Sequence, residues 1–191
     1  MIWQGQEEAY RYATEGDLPA IAEMLDDPEV GQWLWFTPSP PGATRDFFLP
    51  LLEGQRKELE AGRDPRTAVL VAEDSNGDFL GQGGVVEIDG SPGGFEIGYQ
   101  LQRASWGRGV GMRLARFLCS YAVHVCDAFR IEASCMEGNV GSRRILERLG
   151  LSLEGTRPGY RLKEGVRHAE LLFGAVAADL DSEPMPPRRD N

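Results

Sequence analysis

Apolar positions recur at helical spacing through the first third of the chain and at strand spacing through its middle. Ala9 to Ala13 reads as a short strand. Thr14-Glu15-Gly16-Asp17 then supplies cap chemistry for a helix with Leu18, Ile21, Ala22 and Leu25 on one face. Pro28 opens a second short helix carrying Val30, Trp33 and Leu34, and the Pro-rich stretch from Thr37 to Gly42 breaks it. Phe47, Phe48, Leu51, Leu52, Gln55 and Leu59 mark a further amphipathic helix ending before Gly62. From Thr67 the period changes: Ala68 to Ala72 is a continuous apolar strand, Asn76-Gly77 centres a hairpin turn, and Phe79 to Ile88 returns. A second turn over Asp89 to Gly94 leads into a strand from Phe95 to Leu101. Val110, Leu114, Phe117, Leu118, Tyr121, Ala122 and Val125 then form a helical stripe. Phe129 to Cys135 is a strand. Asn139 caps a helix with Ile145, Leu146 and Leu149, which Gly150 ends where a left-handed residue is wanted. Leu151 to Glu154, the segment around Tyr160, and Ala169 to Val176 read as closing strands. The order predicts one α/β domain with a mixed sheet over residues 1–180, followed by a Pro- and charge-rich tail, 181–191, expected to be disordered.

Composition narrows the function without naming it. The 191 residues suffice for one sizeable core, and 41% apolar with 26% charged is a globular balance. A formal net charge of -10 argues against nucleic acid or an anionic membrane as partner; it suits a cationic acceptor or serves solubility alone. Cys119 and Cys126 fall at core spacing on one helix and Cys135 ends a strand, so all three cysteines are expected to be reduced, packed thiols of a cytoplasmic protein. His124 and His168 are too isolated for a metal site. The first residues lack the pattern of a signal peptide, and no apolar run approaches the roughly 20 residues that span a bilayer.

The stretch Trp106-Gly107-Arg108-Gly109-Val110-Gly111-Met112 carries the most information. Three glycines remove the Cβ atoms that would hold a ligand off the main chain, and the helix that follows points its unpaired N–H groups and positive dipole end into the loop. Such a tip suits a phosphate. A dinucleotide-binding turn is one reading, but antiparallel-looking strands precede the loop, its final glycine comes one residue early, and Glu132 sits within its strand rather than at the end. No Gly-Lys-Ser/Thr follows, which excludes a Walker-type loop.

The other reading is a coenzyme A pyrophosphate site, and there the chain resembles the GNAT superfamily of N-acetyltransferases, in the branch of the ribosomal-protein N-terminal acetyltransferases. Arg11, Glu15-Gly16-Asp17-Leu18-Pro19-Ala20-Ile21, Asp27-Pro28-Glu29-Val30 and Trp33-Leu34 are similar to that branch's opening. Glu96-Ile97-Gly98-Tyr99-Gln100-Leu101 resembles its central strand, Trp106 to Gly111 its acetyl-CoA loop, and Asn139 to Gly150 its second motif. The resemblance runs from Arg11 to about Phe173. It implies a sheet of about seven strands, splayed between the fourth and fifth, where pantetheine inserts. It further implies that the backbone of Leu101, Gln102 and Arg103 pairs with pantetheine, that residues 106–112 hold the diphosphate, and that Asn139 contacts the cofactor. Arg144 either meets the 3′-phosphate of CoA or is a solvated surface residue.

Acetyl transfer to an amine needs a neutral nitrogen, a stabilised oxyanion and a proton for the departing thiolate. Deprotonating a lysine-like amine at pH 7 costs about 4.6 kcal/mol, against about 1 kcal/mol for an α-amine. Glu96, at a position where the branch often carries a carboxylate working through water, is the candidate base; the alternative is a structural carboxylate paired with an arginine. Ser142 is the candidate acid or simply a first-turn serine, and Tyr160 a second acid. Trp33, Trp35 and Phe36 are candidates for the acceptor wall. Where the branch often has Arg-Asp near the last strand, this chain reads Arg167-His168, which puts a substrate role there in doubt. The expected activity is metal-free, acetyl-CoA-dependent N-acetylation by a monomer or homodimer, of a protein N-terminal α-amine or else a small amine such as an aminoglycoside-like antibiotic or a polyamine. The reading of another class is an acyl-CoA-binding sensor without turnover.

Overall fold

The computed structural model describes residues 1–34, 40, 42–180 and 182–189. In chain order the elements are β1 (Ile2–Gln4), β2 (Ala9–Tyr12), α1 (Leu18–Asp26), α2 (Pro28–Gly31), α3 (Ala43–Glu60), β3 (Ala68–Glu73), β4 (Phe79–Glu87), β5 (Gly94–Leu101), α4 (Val110–His124), β6 (Arg130–Met136), α5 (Val140–Arg148), β7 (Ser152–Lys163), β8 (Val166–Val176) and β9 (Arg188–Arg189). Among the described residues they build one mixed sheet of nine strands in the order β7-β8-β6-β5-β4-β3-β2-β1-β9. Every neighbouring pair is antiparallel except β5 and β6, which run parallel because α4 carries the chain back between them.

The sheet has a core on each face. β3 is apolar from Ala68 to Ala72 because that stretch is buried on both sides. Leu70 and Ala72 join Val85, Phe95 and Ile97 beneath Val110, Leu114, Leu118 and Tyr121 of α4. Val69 and Val71 instead meet Ile21, Met24, Leu25, Phe48 and Leu52 of the first three helices. α4 lies close on β4 at Gly83, where a Cβ would come 2.6 Å from Leu118 Cδ1. Cys119, Cys126 and Cys135 are free and buried, as read from their spacing.

Two polar devices tie the layers together. The Asp17 carboxylate accepts from Thr14 N (2.7 Å) and from Arg11 Nη1 and Nη2 (2.9 and 2.7 Å), while Arg11 also binds Glu73 of β3. Burial pushes the Asp17 carboxyl up, but the Arg11 and Thr14 hydrogen bonds outweigh it and hold it below the ordinary range. Gln55 sits on the apolar stripe of α3 and is buried. Its Nε2 donates to Ala13 O and its Oε1 accepts from Val69 N, both at 2.8 Å, so one amide closes the gap between the ends of β2 and β3.

The structure departs from the sequence expectations at the edges. Two further strands, β1 and β9, bring the sheet to nine. Three residues are too few for a periodic signal, but Trp3 anchors β1, with its ring edge-on to Tyr12, Phe117 and Tyr121 at 5.1, 5.5 and 5.9 Å. Within the tail expected to be disordered, Arg188–Arg189 pairs with Ile2 and Trp3, and Arg188 Nη1 meets Asp64 at 3.0 Å. The helix opened by Pro28 stops at Gly31, leaving Trp33 and Leu34 in a turn beyond it. The two closing segments before residue 163 are one edge strand, β7, whose register shifts between Arg157 and Arg161. Pro158 lacks an N–H and Gly159 takes a φ of 59°, so the break in pattern is a bulge rather than an end.

Replacing Gln55 with Leu keeps the bulk but strands two buried backbone groups. Urea unfolding of Gln55→Leu is expected to show a loss of about 2–4 kcal/mol, with an unchanged m-value.

Candidate active site

β5 and β6 pair only at Gly94–Arg130, Phe95–Ile131 and Glu96–Glu132. β5 then continues to Leu101 along β4, and β6 to Met136 along β8, so the two strands part. This is the splay implied for the fourth and fifth predicted strands. A cleft of about 960 Å³ fills the gap, lined by β5, β6, the loop before α4, the start of α5 and the turn after α2.

At the top of β5 the chain makes a short turn over Arg103–Ser105 and enters the glycine loop. Gly107 and Gly109 hold φ values of 71° and 81°, conformations that favour glycine, and open space surrounds the Cβ position of Gly107. The amides of residues 107–111 have no hydrogen-bond partner among the described residues; the helical ladder begins with Met112 N on Gly109 O. Arg113 holds the loop from behind, donating to Arg108 O at 3.1 Å and pairing with the buried Glu8. The result is a row of bare donors at a helix start. Gly111 has a different job: a Cβ there would lie 3.0 Å from Ile145 Cδ1 and 3.2 Å from Leu101 Cδ1, so it lets α4 close on α5 and β5.

Glu96 stands at the last paired position before the strands part, its carboxylate open to the cleft and free of hydrogen bonds and ion pairs among the described residues. The crowding walls raise its carboxyl above the ordinary range, and the carboxylates of Glu132 and Glu170 add to this against Arg161 and Arg157. The alternative of a carboxylate paired with arginine describes Glu170 instead. That side chain is fully buried, bound by Arg157 at 3.1 Å and Arg161 at 2.8 Å.

Across the cleft, Asn139 Oδ1 caps α5 by accepting from Ser142 N at 3.0 Å, leaving its amide nitrogen for the cleft. Ser142 Oγ lies 3.2 Å from the hydroxyl of Tyr99, whose pKa is raised by burial. Cys135 also lines the cleft, its thiol pushed up to about 11 by burial, so it stays protonated.

Most of the expected residues converge. Glu96, Leu101, Trp106, Gly107, Gly109, Gly111, Met112, Asn139, Ser142, Arg144 and Trp33 all line the cleft. Others do not. Val110 is core beneath the helix start. Gln102 turns to β4, its backbone N–H donating to Leu80 O and its side chain to Phe79 O. Arg103 turns to Glu29 at 2.6 Å. Arg108 lies on the exposed outside of the loop. Tyr160 is half exposed on β7, between the guanidinium groups of Arg157 and Arg161 at 4.8 and 5.0 Å, and does not line the cleft. Trp35 and Phe36 lie outside the described residues. Sequence reasoning missed Tyr99, Arg148 and Ser105. Tyr99 sat in plain view on the predicted strand, with an alternation that points it toward the following helix, and Arg148 lies one turn beyond Arg144.

Residues 9–152 match the profile of the Acetyltransferase (GNAT) domain. The chain belongs to the GNAT acetyltransferase family. The uncharacterized N-acetyltransferase p20 of Bacillus licheniformis is 27% identical over 149 residues, 78% of this chain and 81% of p20. Among solved structures, ribosomal-protein-S5-alanine acetyltransferase from Vibrio fischeri superposes with a TM-score of 0.76 at 18% identity, over 96% of this chain and 100% of that one. Spermidine N-acetyltransferase from Vibrio cholerae, in complex with CoA and spermine, gives 0.77 at 14% identity, over 92% and 98%. At these identities the likeness is one of fold. This GNAT protein is accordingly an acyltransferase, of a family whose acyl donor is acetyl-CoA.

The cleft fits that donor. Its five bare amides suit a diphosphate, and the free edge of β5 beyond Glu96 suits the pantetheine amides as an added strand would. Leu101 O is half taken by Trp106 Nε1 at 3.1 Å. Ser105 Oγ, buried in the wall between loop and strand, has no partner among the described residues. Among the described residues no group of three His, Cys, Asp or Glu is placed to hold a metal, and no helix is long and apolar enough to cross a membrane.

The glycines separate binding from folding. Gly107→Ala is expected to strain the loop by about 1–2 kcal/mol, lowering the melting temperature by only about 2–8 °C, and to weaken CoA binding in calorimetry. Gly111→Val drives bulk into Ile145 and Leu101 and is expected to lower the melting temperature as well.

Proposed function

We propose that the chain transfers the acetyl group of acetyl-CoA to a protein N-terminal α-amine, with Glu96 as the base. The observation that carries this reading is an unpaired carboxylate of raised pKa at the point where the cleft opens between the parting strands. Acetyl-CoA supplies an activated acyl carbon and a thiolate leaving group; the protein's residues supply position and proton traffic. The amides of residues 107–111 hold the diphosphate end, with Arg144 and Arg148 on α5 facing the adjoining phosphate. The open edge of β5 aligns the arm so that its reactive end lies toward Glu96.

Glu96, acting through a water, removes the proton of an ammonium group. An α-amine asks little of it: about 1 kcal/mol at pH 7 against about 4.6 kcal/mol for a lysine side chain. A carboxyl above its ordinary range is a stronger base than a solvated one and remains within reach of neutral pH. The proton for the thiolate comes from the Ser142–Tyr99 hydroxyl pair on the opposite wall; the proton that the nitrogen loses as the tetrahedral adduct collapses passes to water, and water returns one to the pair. Tyr160 has no part in this scheme. The likeness to the S5-alanine enzyme supports a protein amine. A second reading, a polyamine acceptor, is favoured by Glu132 beside Glu96 on the same sheet face and by the likeness to the spermidine enzyme. Both acceptors suit the net charge of -10. The cytoplasm is the proposed location.

Thiol release measured with Ala- and Ser-starting peptides, spermidine and an aminoglycoside separates the acceptors; preference for spermidine would overturn the protein-amine assignment, and CoA binding without turnover of any amine would indicate a sensor. Glu96→Gln is expected to lower kcat by about 10²–10³-fold with unchanged acetyl-CoA affinity. The wild-type rate should fall as pH drops through the raised Glu96 value, above the ordinary carboxylate range. Because the folded-state pKa is raised, the charged carboxylate opposes folding at neutral pH, and stability from this group is gained only as it protonates. Glu96→Gln should therefore be the more stable protein at pH 7 in a thermal melt, and equal to wild type in acid.

A further inference from the structure

Trp33 lines the cleft on the side of the first helices, in the turn beyond α2. Its ring lies against Gly138 in the loop between β6 and α5, where a Cβ on Gly138 would stand 3.5 Å from the ring carbon Cζ3. The indole thus forms the cleft wall between α2 and the loop before α5. Its own turn holds it by two backbone bonds, Trp33 N to Val30 O at 3.1 Å and Leu34 N to Gly31 O at 3.0 Å. Further support comes from the far edge of the sheet. Lys163, the last residue of β7, is buried at 7% exposure, and its ammonium donates to the carbonyls of Gly31 and, at 3.1 Å, of Leu34. Those two carbonyls bracket Trp33. No carboxylate among the described residues forms an ion pair with Lys163, and the bonds that satisfy its buried ammonium among them are those to this turn.

We propose that Lys163 is a positioning residue for the acceptor: it clamps the turn on both sides of Trp33 and so sets the indole as the wall against which the chain behind the reacting amine lies. The aromatic face also attracts a cationic group as it arrives. Acceptor recognition then depends on a side chain that touches neither acceptor nor acetyl-CoA. This inference rests on the acetyl-transfer reading of the cleft, although the clamp itself is observable without turnover.

The test uses the full chain labelled with 5-fluorotryptophan, with the Trp33 fluorine signal assigned by its loss in Trp33→Phe. In Lys163→Met the Trp33 signal is expected to shift and broaden while those of Trp3 and Trp106 stay. With an Ala-starting peptide, KM for the peptide should rise about tenfold while KM for acetyl-CoA stays within about twofold. Lys163→Arg, which keeps a donor, should restore most of both. An unmoved Trp33 signal overturns the proposal, and so does a parallel rise in both KM values, which would mark a merely structural lysine. Should Lys163→Met fail to fold, Lys163→Gln is read by the same criteria. If wild type acetylates no peptide or amine, the acetyl-transfer reading fails, while the Trp33 signal still decides whether Lys163 sets that wall.

Discussion

A sheet that opens in its middle must leave backbone donors and acceptors facing a gap, and the whole site follows from that constraint. Buried N–H and C=O groups need partners. After Glu96 and Glu132 the inner edges of β5 and β6 have none from each other. The glycine loop extends the row of open groups with five further amides, and Ser105 adds an unpartnered hydroxyl. A ligand that is a long, thin chain with amides along its length and phosphates at its end completes what the fold leaves undone. The residues that hold the gap in shape are apolar: Phe95 and Ile97 of β5 are pinned beneath α4, and Ile131 and Ala133 hold β6 to the same core.

Much of this was legible because the relevant signals are local. The apolar run from Ala68 to Ala72 and the turn residues at Asn76-Gly77 and Asp89 to Gly94 announced consecutive antiparallel strands; the three glycines before an apolar stripe announced a bare helix tip; Asn139 announced its helix. What escaped depends on distance in sequence. Gln55 looks like one polar interruption of a helical stripe until Ala13 and Val69 come within 2.8 Å of it. Glu170 is one carboxylate in a closing strand until β7 folds over it and supplies Arg157 and Arg161. Tyr160 was placed in the site because it lay close to the last strands in sequence; the bulge at Pro158 and Gly159 leaves it outside, between those two arginines. Gln102 and Arg103 follow β5 directly, yet Gln102 is held to β4 and the turn over Arg103–Ser105 carries Arg103 toward Glu29.

Charge is organised locally rather than by the total of -10. Arginines on β7 are used up by Glu170, and Arg130 by Glu132 and Glu154. Among the described residues Glu96 forms no ion pair in the cleft. Its raised pKa arises first from crowding by the cleft walls and then from the carboxylates of Glu132 and Glu170, against the pull of Arg161 and Arg157.

The two faces of the sheet are packed by separate sets of side chains. α4 rests on Leu70, Val85, Phe95 and Ile97, and α5 joins the same core through Leu146; the first three helices rest on Val69 and Val71. Because β3 contributes alternate residues to the two sets, substitutions that reshape one layer need not disturb the other's packing. The helical layer over Val69 and Val71 can therefore change its packing without repacking α4, with Trp106 of the glycine loop as the one side chain of the cleft's rim that rests on it among the described residues.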